Sequence, residues 1–117
     1  MIMAVQGSRN FEDYAVFLRA MRTALSGMGK EDKEIYIYSA GPARVNSMAM
    51  EFANVSERSL KARGIKIQMR KVPPSWVKEY MKDIDYFAYF GKPNEPVSDL
   101  VNVADGLGIE AGVYIFS

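Results

Sequence analysis

The chain has 117 residues, 49% apolar and 25% charged, with a net charge of +1, the composition of an ordinary soluble globular domain. It has no Cys and no His, which excludes disulfides, thiolate nucleophiles, Cys/His zinc sites and imidazole bases. No apolar run approaches the ~20 residues that a membrane-spanning helix needs, and no basic-then-apolar leader opens the chain. The expectation is therefore one domain over residues 1–117, in the cytoplasm, without membrane contact and without a metal.

Met1–Gln6 reads as a short buried strand, broken by Gly7-Ser8-Arg9-Asn10. Phe11, Tyr14, Leu18, Met21 and Leu25 recur at three- and four-residue spacing and predict a helix from about Phe11 to Ser26. Asn10 is the expected N-cap, with Asp13 favouring the positive helix end. Gly27 and Gly29 close the helix, and Lys30–Glu34 is a charged turn. Ile35–Ser39 is the second strand. Gly41 then permits a tight turn or a close backbone approach, and Pro42 suits the first turn of a helix. That helix carries Val45, Met48, Ala49, Phe52 and Ala53 on one face and runs to about Arg63, before Gly64.

Ile65, Ile67 and Met69 alternate with Lys66, Gln68 and Arg70, which predicts a half-buried edge strand. Pro73-Pro74 leads into a short helix holding Trp76, Val77, Tyr80 and Met81, with Pro74 at its first position. Tyr86–Phe90 is continuously apolar and is expected at the centre of a sheet. Gly91–Pro96 is a loop, and Pro96 or Ser98 starts a fourth helix that Gly106 and Gly108 stop. Gly112–Phe116 is the last strand. Strands alternating with helices over short linkers predict right-handed crossovers, hence an α/β fold with about five parallel strands and helices on both faces.

Charge is unevenly spread. Arg58, Lys61, Arg63, Lys66, Arg70, Lys71 and Lys78 occur with no acid among them, whereas Asp83, Asp85, Glu95, Asp99, Asp105 and Glu110 face only Lys92. This fits a solvated rim, an anion-facing edge or a plus-to-minus contact between subunits. Eight Met and thirteen Phe plus Tyr suggest apolar surface beyond one small core. A homo-oligomer is expected, a dimer in the simplest case, with the long second helix and the Trp76 helix as candidate faces.

In a parallel sheet, ligands sit outside the C-terminal strand ends. Three loops are expected there: Gly7–Asn10, Ala40–Asn46 and Gly91–Ser98. A helix N-terminus behind such a loop favours an anion. Arg9, Arg44 and Lys92 can pair with phosphate oxygens. Ser8 and Ser98 can donate from their hydroxyls, Asn46 can bind a ribose hydroxyl or cap its helix, and Tyr14 or Tyr89 can stack on a base.

Val5-Gln6-Gly7-Ser8-Arg9-Asn10-Phe11 resembles the opening V-x-G-S-R-x-F of the YspA-related branch of the SLOG superfamily. Val45-Asn46-Ser47-Met48-Ala49 with Glu51-Phe52-Ala53 is similar to that branch's G-V-D-x-L-A-x-x-x-A helix start. The passage Tyr86–Ala104 occupies the place of its third ligand loop. The resemblance implies a Rossmann-like three-layer sandwich that binds a nucleotide or a nucleotide-derived ligand through Gly7, Ser8, Arg9, Gly41, Asn46 and Ser98. The chain departs from the pattern in three places. It has Gly41-Pro42 where two glycines are usual, Asn46 in place of Asp, and no G-G-x-G-T of the related LOG-type phosphoribohydrolases.

Ala40-Gly41-Pro42 is also similar to the I-Y-L-A-G-P of nucleoside deoxyribosyltransferases, whose catalytic Glu follows a D-x-G-T loop that Pro96–Leu100 does not supply.

The resulting expectation is a nucleotide-type ligand held by Gly7, Ser8, Arg9, Asn10, Gly41, Pro42, Arg44, Asn46, Gly91, Lys92 and Ser98, in a sensor or sequestering module without catalysis. The first alternative is a nucleotide glycosidic-bond hydrolase or transferase, with Glu51, Glu95 or Asp99 as the carboxylate near the sugar. The second is a nucleic-acid-binding or assembly module, resembling DNA-processing protein A, built on the Arg58–Lys78 patch.

Overall fold

Five short apolar runs, each followed by an amphipathic segment, fold as strand–helix units. The computed structural model describes Met1–Phe116. In chain order the elements are β1 (Ile2–Gly7), α1 (Tyr14–Ser26), β2 (Glu34–Ser39), α2 (Ala43–Ala62), β3 (Lys66–Lys71), α3 (Pro74–Tyr80), β4 (Tyr86–Gly91), α4 (Asp99–Gly106) and β5 (Ala111–Ile115), with one 3-10 turn at Met81–Asp83. All four strand pairings are parallel, in the order β3-β2-β1-β4-β5. This is a Rossmann-like α/β arrangement.

The pleat sorts the strand side chains into two cores. Met3, Val5, Ile35, Ile37, Ala88 and Phe90 face α1 and α2, where they meet Phe17, Met21, Val45 and Phe52. Ala4, Phe87 and Tyr89 face the other layer, where Val77, Leu100 and Ala104 cover them. β4 is buried at every position, because it lies between β1 and β5 with helices on both faces. β3 and β5 are the edges; the half-buried pattern of Ile67 and Met69 matches the edge expected for β3.

Two boundaries differ from expectation. α1 begins at Tyr14, not near Phe11, and its N-cap is Asp13, whose carboxylate accepts from the Val16 N–H at 3.2 Å. Asn10 does not cap it. The Phe11 N–H is tied to the Ser8 carbonyl and the Phe11 ring stacks on Phe90 at 4.9 Å, so residues 8–11 close a turn before the helix starts. Pro42 is the N-cap of α2 rather than its first helical residue, whereas Pro74 takes the first position of α3. Gly64 (φ 75°) and Gly108 (φ 71°) reverse the chain after α2 and α4 in the left-handed region that glycine enters without a Cβ clash.

Candidate anion-binding site

Starting from β1, the chain winds outward through β2 to β3, then crosses back to β4 on the other side of β1. The topological switch point is therefore between β1 and β4, and a crevice opens outside their C-terminal ends. The loops after β1, β2 and β4 meet at this corner, as their contacts show.

At the end of β1, a Cβ placed on Gly7 would overlap Cγ2 of Val45 in the first turns of α2. A Cβ on Gly41 would stand 3.1 Å from Cβ of Val45 and 3.2 Å from the Gly7 nitrogen. The two glycines thus let the ends of β1 and β2 and the start of α2 pack together. The close approach expected at Gly41 is made to Val45 and to the Gly7 nitrogen. Gly91 is buried under the Tyr89 ring, 2.9 Å from where its Cβ would be.

The loops after β1 and β4 are tied through Glu95. Its Oε1 accepts from the Ser8 hydroxyl at 2.8 Å and from the Lys92 N–H at 3.2 Å, and its Oε2 accepts from the Asn10 amide at 3.2 Å. The Ser8 N–H donates to the Phe90 carbonyl at 2.8 Å, and the Glu95 N–H to the Lys92 carbonyl at 3.1 Å. The Ser8 hydroxyl, chief among these donors, holds the Glu95 carboxyl below its usual range, against a smaller opposing effect of burial; Asn10 and Lys92 add to the lowering. Burial, and then the Glu95 charge, push the Tyr89 phenol upward.

Around this tie, Arg9, Arg44 and Lys92 line a polar cleft of about 480 Å³ together with Asn10 and Glu12. The three cations come from three different crossover loops or helix starts. Arg44 is paired with Glu12 at 2.6 Å, both side chains exposed. Among the described residues, the side chains of Arg9 and Lys92 make no ion pair. α2 begins without a side-chain cap, and its second residue, Arg44, lines the cleft.

Not every expected residue gathers here. The Asn46 side-chain oxygen accepts from the buried Ser39 hydroxyl at 2.5 Å, and α2 has no side-chain cap bond, so Asn46 does not cap α2. Ser98 caps α4 by accepting from the Leu100 N–H at 3.2 Å. Tyr89 is only 4% exposed and donates to the Pro96 carbonyl at 3.1 Å, which leaves it no face for a base. Tyr14 is half-buried beside Phe17. Glu51 and Asp99 are exposed, on α2 and at the start of α4.

Two residues at this corner carry no motif. Glu12 faces Arg44. Gln6, beside Tyr89 in the register of β1 and β4, buries its Oε1 without a hydrogen-bond partner. A polar residue closing an apolar strand run at the switch point was the available signal for Gln6.

A larger groove of about 540 Å³ runs along α2, lined by Asn46, Ser47, Met50, Glu51, Asn54, Val55 and Lys71. It has one cation and one carboxylate, so it offers an anion no net attraction. The smaller cleft at the switch point holds the concentrated positive charge. Among the described residues no cluster of carboxylates has the arrangement of a metal site, and no helix is long and apolar enough to cross a membrane. Comparison with protein-family models, with curated proteins and with solved structures finds no match to this chain.

Proposed function

We propose that this protein binds a phosphate-bearing ligand of nucleotide type at the C-terminal edge of its sheet, as a sensor or sequestering module without catalysis of its own. The observation that carries the reading is the convergence of Arg9, Arg44 and Lys92 on one cleft at the switch point. Cationic donors in a fixed concavity favour phosphate through charge-assisted hydrogen bonds. The resemblance of Gly7-Ser8-Arg9 and Phe11 to the SLOG opening points the same way.

Glu95 shapes this reading. Its carboxylate satisfies Ser8, Asn10 and the Lys92 N–H, the donors a phosphate at the first loop would use. A ligand phosphate therefore sits on the Arg9–Lys92 side of the cleft, or displaces Glu95 from the loop. Either way the carboxylate weakens anion binding and selects for ligands with charge enough to compete.

The glycosidic-bond alternative has Glu95 as its best-placed carboxylate. A nucleophile aims a free lone pair at the sugar; of the roughly four lone-pair positions of a carboxylate, three on Glu95 already accept hydrogen bonds from the two loops. Its role as a loop tie fits that geometry better.

Calorimetric titration with nucleoside mono-, di- and triphosphates, ADP-ribose and inorganic phosphate tests the proposal. Binding by the wild type, lost or weakened at least tenfold in Arg9→Ala and retained in Lys71→Ala, supports the switch-point site. Arg9 is exposed, so its removal leaves the melting temperature nearly unchanged. Loss in Lys71→Ala instead moves the site to the α2 groove, and no binding at millimolar ligand rejects the reading.

A further inference from the structure

The two edges of the sheet are chemically unlike. β3 presents Lys66, Gln68, Arg70 and Lys71, the charged edge that keeps a strand from pairing with another chain. β5 reads Ala111-Gly112-Val113-Tyr114-Ile115 and carries no charge. Val113 is 44% exposed and Ile115 39%. On the same layer of the molecule, Val97 before α4 and Leu107 after it are also exposed. An uncharged, apolar free edge is unfavourable in water unless something covers it.

Hydrogen-bond direction defines what that edge offers. The Phe87 N–H donates to the Glu110 carbonyl, and the Phe116 N–H donates to the Gly91 carbonyl. Backbone groups alternate sides along a strand, so the even-numbered residues of β5 bond to β4. Ala111, Val113 and Ile115 turn their N–H and C=O groups outward. The same three side chains stand on the α3/α4 face, in register with Phe87, Tyr89 and Gly91.

We propose that β5 is a self-association edge, on which a second copy of this chain pairs antiparallel about Val113. In that register Val113 lies opposite Val113 of the second copy, and Ala111 opposite its Ile115. Every outward-facing residue then becomes a hydrogen-bonded pair, giving roughly six new backbone bonds at two per pair. Opposed residues share a face, so Ala111, Val113 and Ile115 of both copies form one continuous apolar stripe. The pairing is isologous and closes on itself, as two-fold assembly requires. Two five-stranded sheets merge into one.

Charge selects the antiparallel arrangement. Glu110 stands at the start of β5, and Lys92 follows Gly91, the partner of Ile115 at its other end. Antiparallel pairing brings Glu110 of one copy to the Lys92 end of the other, about 10 Å away across two strand spacings, within reach of two long side chains. This interface is distinct from α2 and the Trp76 helix, the faces expected from composition.

Light scattering with sedimentation equilibrium on the full chain at micromolar concentration tests the proposal. The wild type is expected to be a dimer and Val113→Lys a monomer, because its two ammonium groups would meet at the two-fold axis. Val113 is already half in solvent, and an unchanged circular dichroism spectrum verifies that the variant is folded. Met50→Lys, on the outer face of α2, is expected to remain dimeric. Hydrogen exchange adds a second readout: the Val113 and Ile115 amides are protected in the wild type and at least tenfold less so in Val113→Lys. A monomeric wild type overturns the proposal, as does a dimer that survives Val113→Lys with those amides protected or dissociates in Met50→Lys.

Discussion

Ser8 donates a 2.8 Å hydrogen bond to the carboxylate of Glu95, a residue on the far side of the switch point and most of the chain away in sequence. This bond joins the loop after β1 to the loop after β4, and it places a negative charge next to Arg9 and Lys92. Glu95→Gln separates the two effects. The amide oxygen still accepts from Ser8, so the loops stay joined and the melting temperature falls only slightly. On the proposed reading, removing the charge is expected to strengthen binding of a phosphate-bearing ligand by roughly threefold to tenfold, the size of one screened charge at close range. Titration of both proteins with the same ligand checks this. Unchanged affinity would show that the ligand does not feel Glu95.

The same carboxylate predicts an acid limb. Its folded pKa is depressed, chiefly by the Ser8 hydroxyl. A depressed acid contributes stability that is fully present above its unfolded pKa, about 4.3 for Glu. That contribution is lost as pH falls through the lower, folded value. The difference in melting temperature between wild type and Glu95→Gln is therefore constant from neutral pH to about pH 5 and shrinks below it. A difference that persists unchanged to pH 2 would mean that the tie does not depend on the charge.

Gly7 and Val45 set the packing under the site. Gly7→Ala forces its methyl into Cγ2 of Val45, and Val45 is fully buried, so it cannot yield outward. Overpacking of this kind costs about 1–3 kcal/mol. Val45→Ala alone leaves a cavity and also destabilises. The double variant is expected to be more stable than the sum of the two changes implies, with a coupling of about 1 kcal/mol or more. Denaturant melts of the four proteins measure it, and strict additivity would disprove the contact.

The pattern of apolar periodicity, Gly and Pro was enough to read the element order and the parallel sheet, because strand burial and crossover length are local properties of the chain. The continuous run Tyr86–Phe90 announced a strand buried on both faces, and Ile67 and Met69 announced an edge. The cap of α1 was not legible: Asn10 and Asp13 are both good caps, and the choice follows from the turn that the Phe11 N–H closes on the Ser8 carbonyl, which puts the first helical residue at Tyr14. The candidate site was legible only in part. Arg9, Arg44 and Lys92 stand in loops that the fold brings to one cleft, but Asn46 and Ser98 equally serve the fold, and they bond to Ser39 and Leu100. Glu12 and Gln6 carry no motif, and their positions depend on long-range packing that no local pattern encodes.

Glu12 gives the last prediction. Its pair with Arg44 is exposed on both sides, so the bond contributes under about 1 kcal/mol to folding. In the cleft it matters more, because it occupies one of the three converging cations and adds a carboxylate to the lining. Glu12→Gln is therefore expected to leave the melting temperature within a degree or two of wild type. Anion affinity should rise by about threefold or more, with a steeper dependence on salt, since the released Arg44 charge is screened by mobile ions. The salt slope decides between this account and a purely structural role. If Glu12 only orients Arg44 toward the ligand, its loss lowers affinity at every ionic strength. If it competes with the ligand, its loss raises affinity most at low salt.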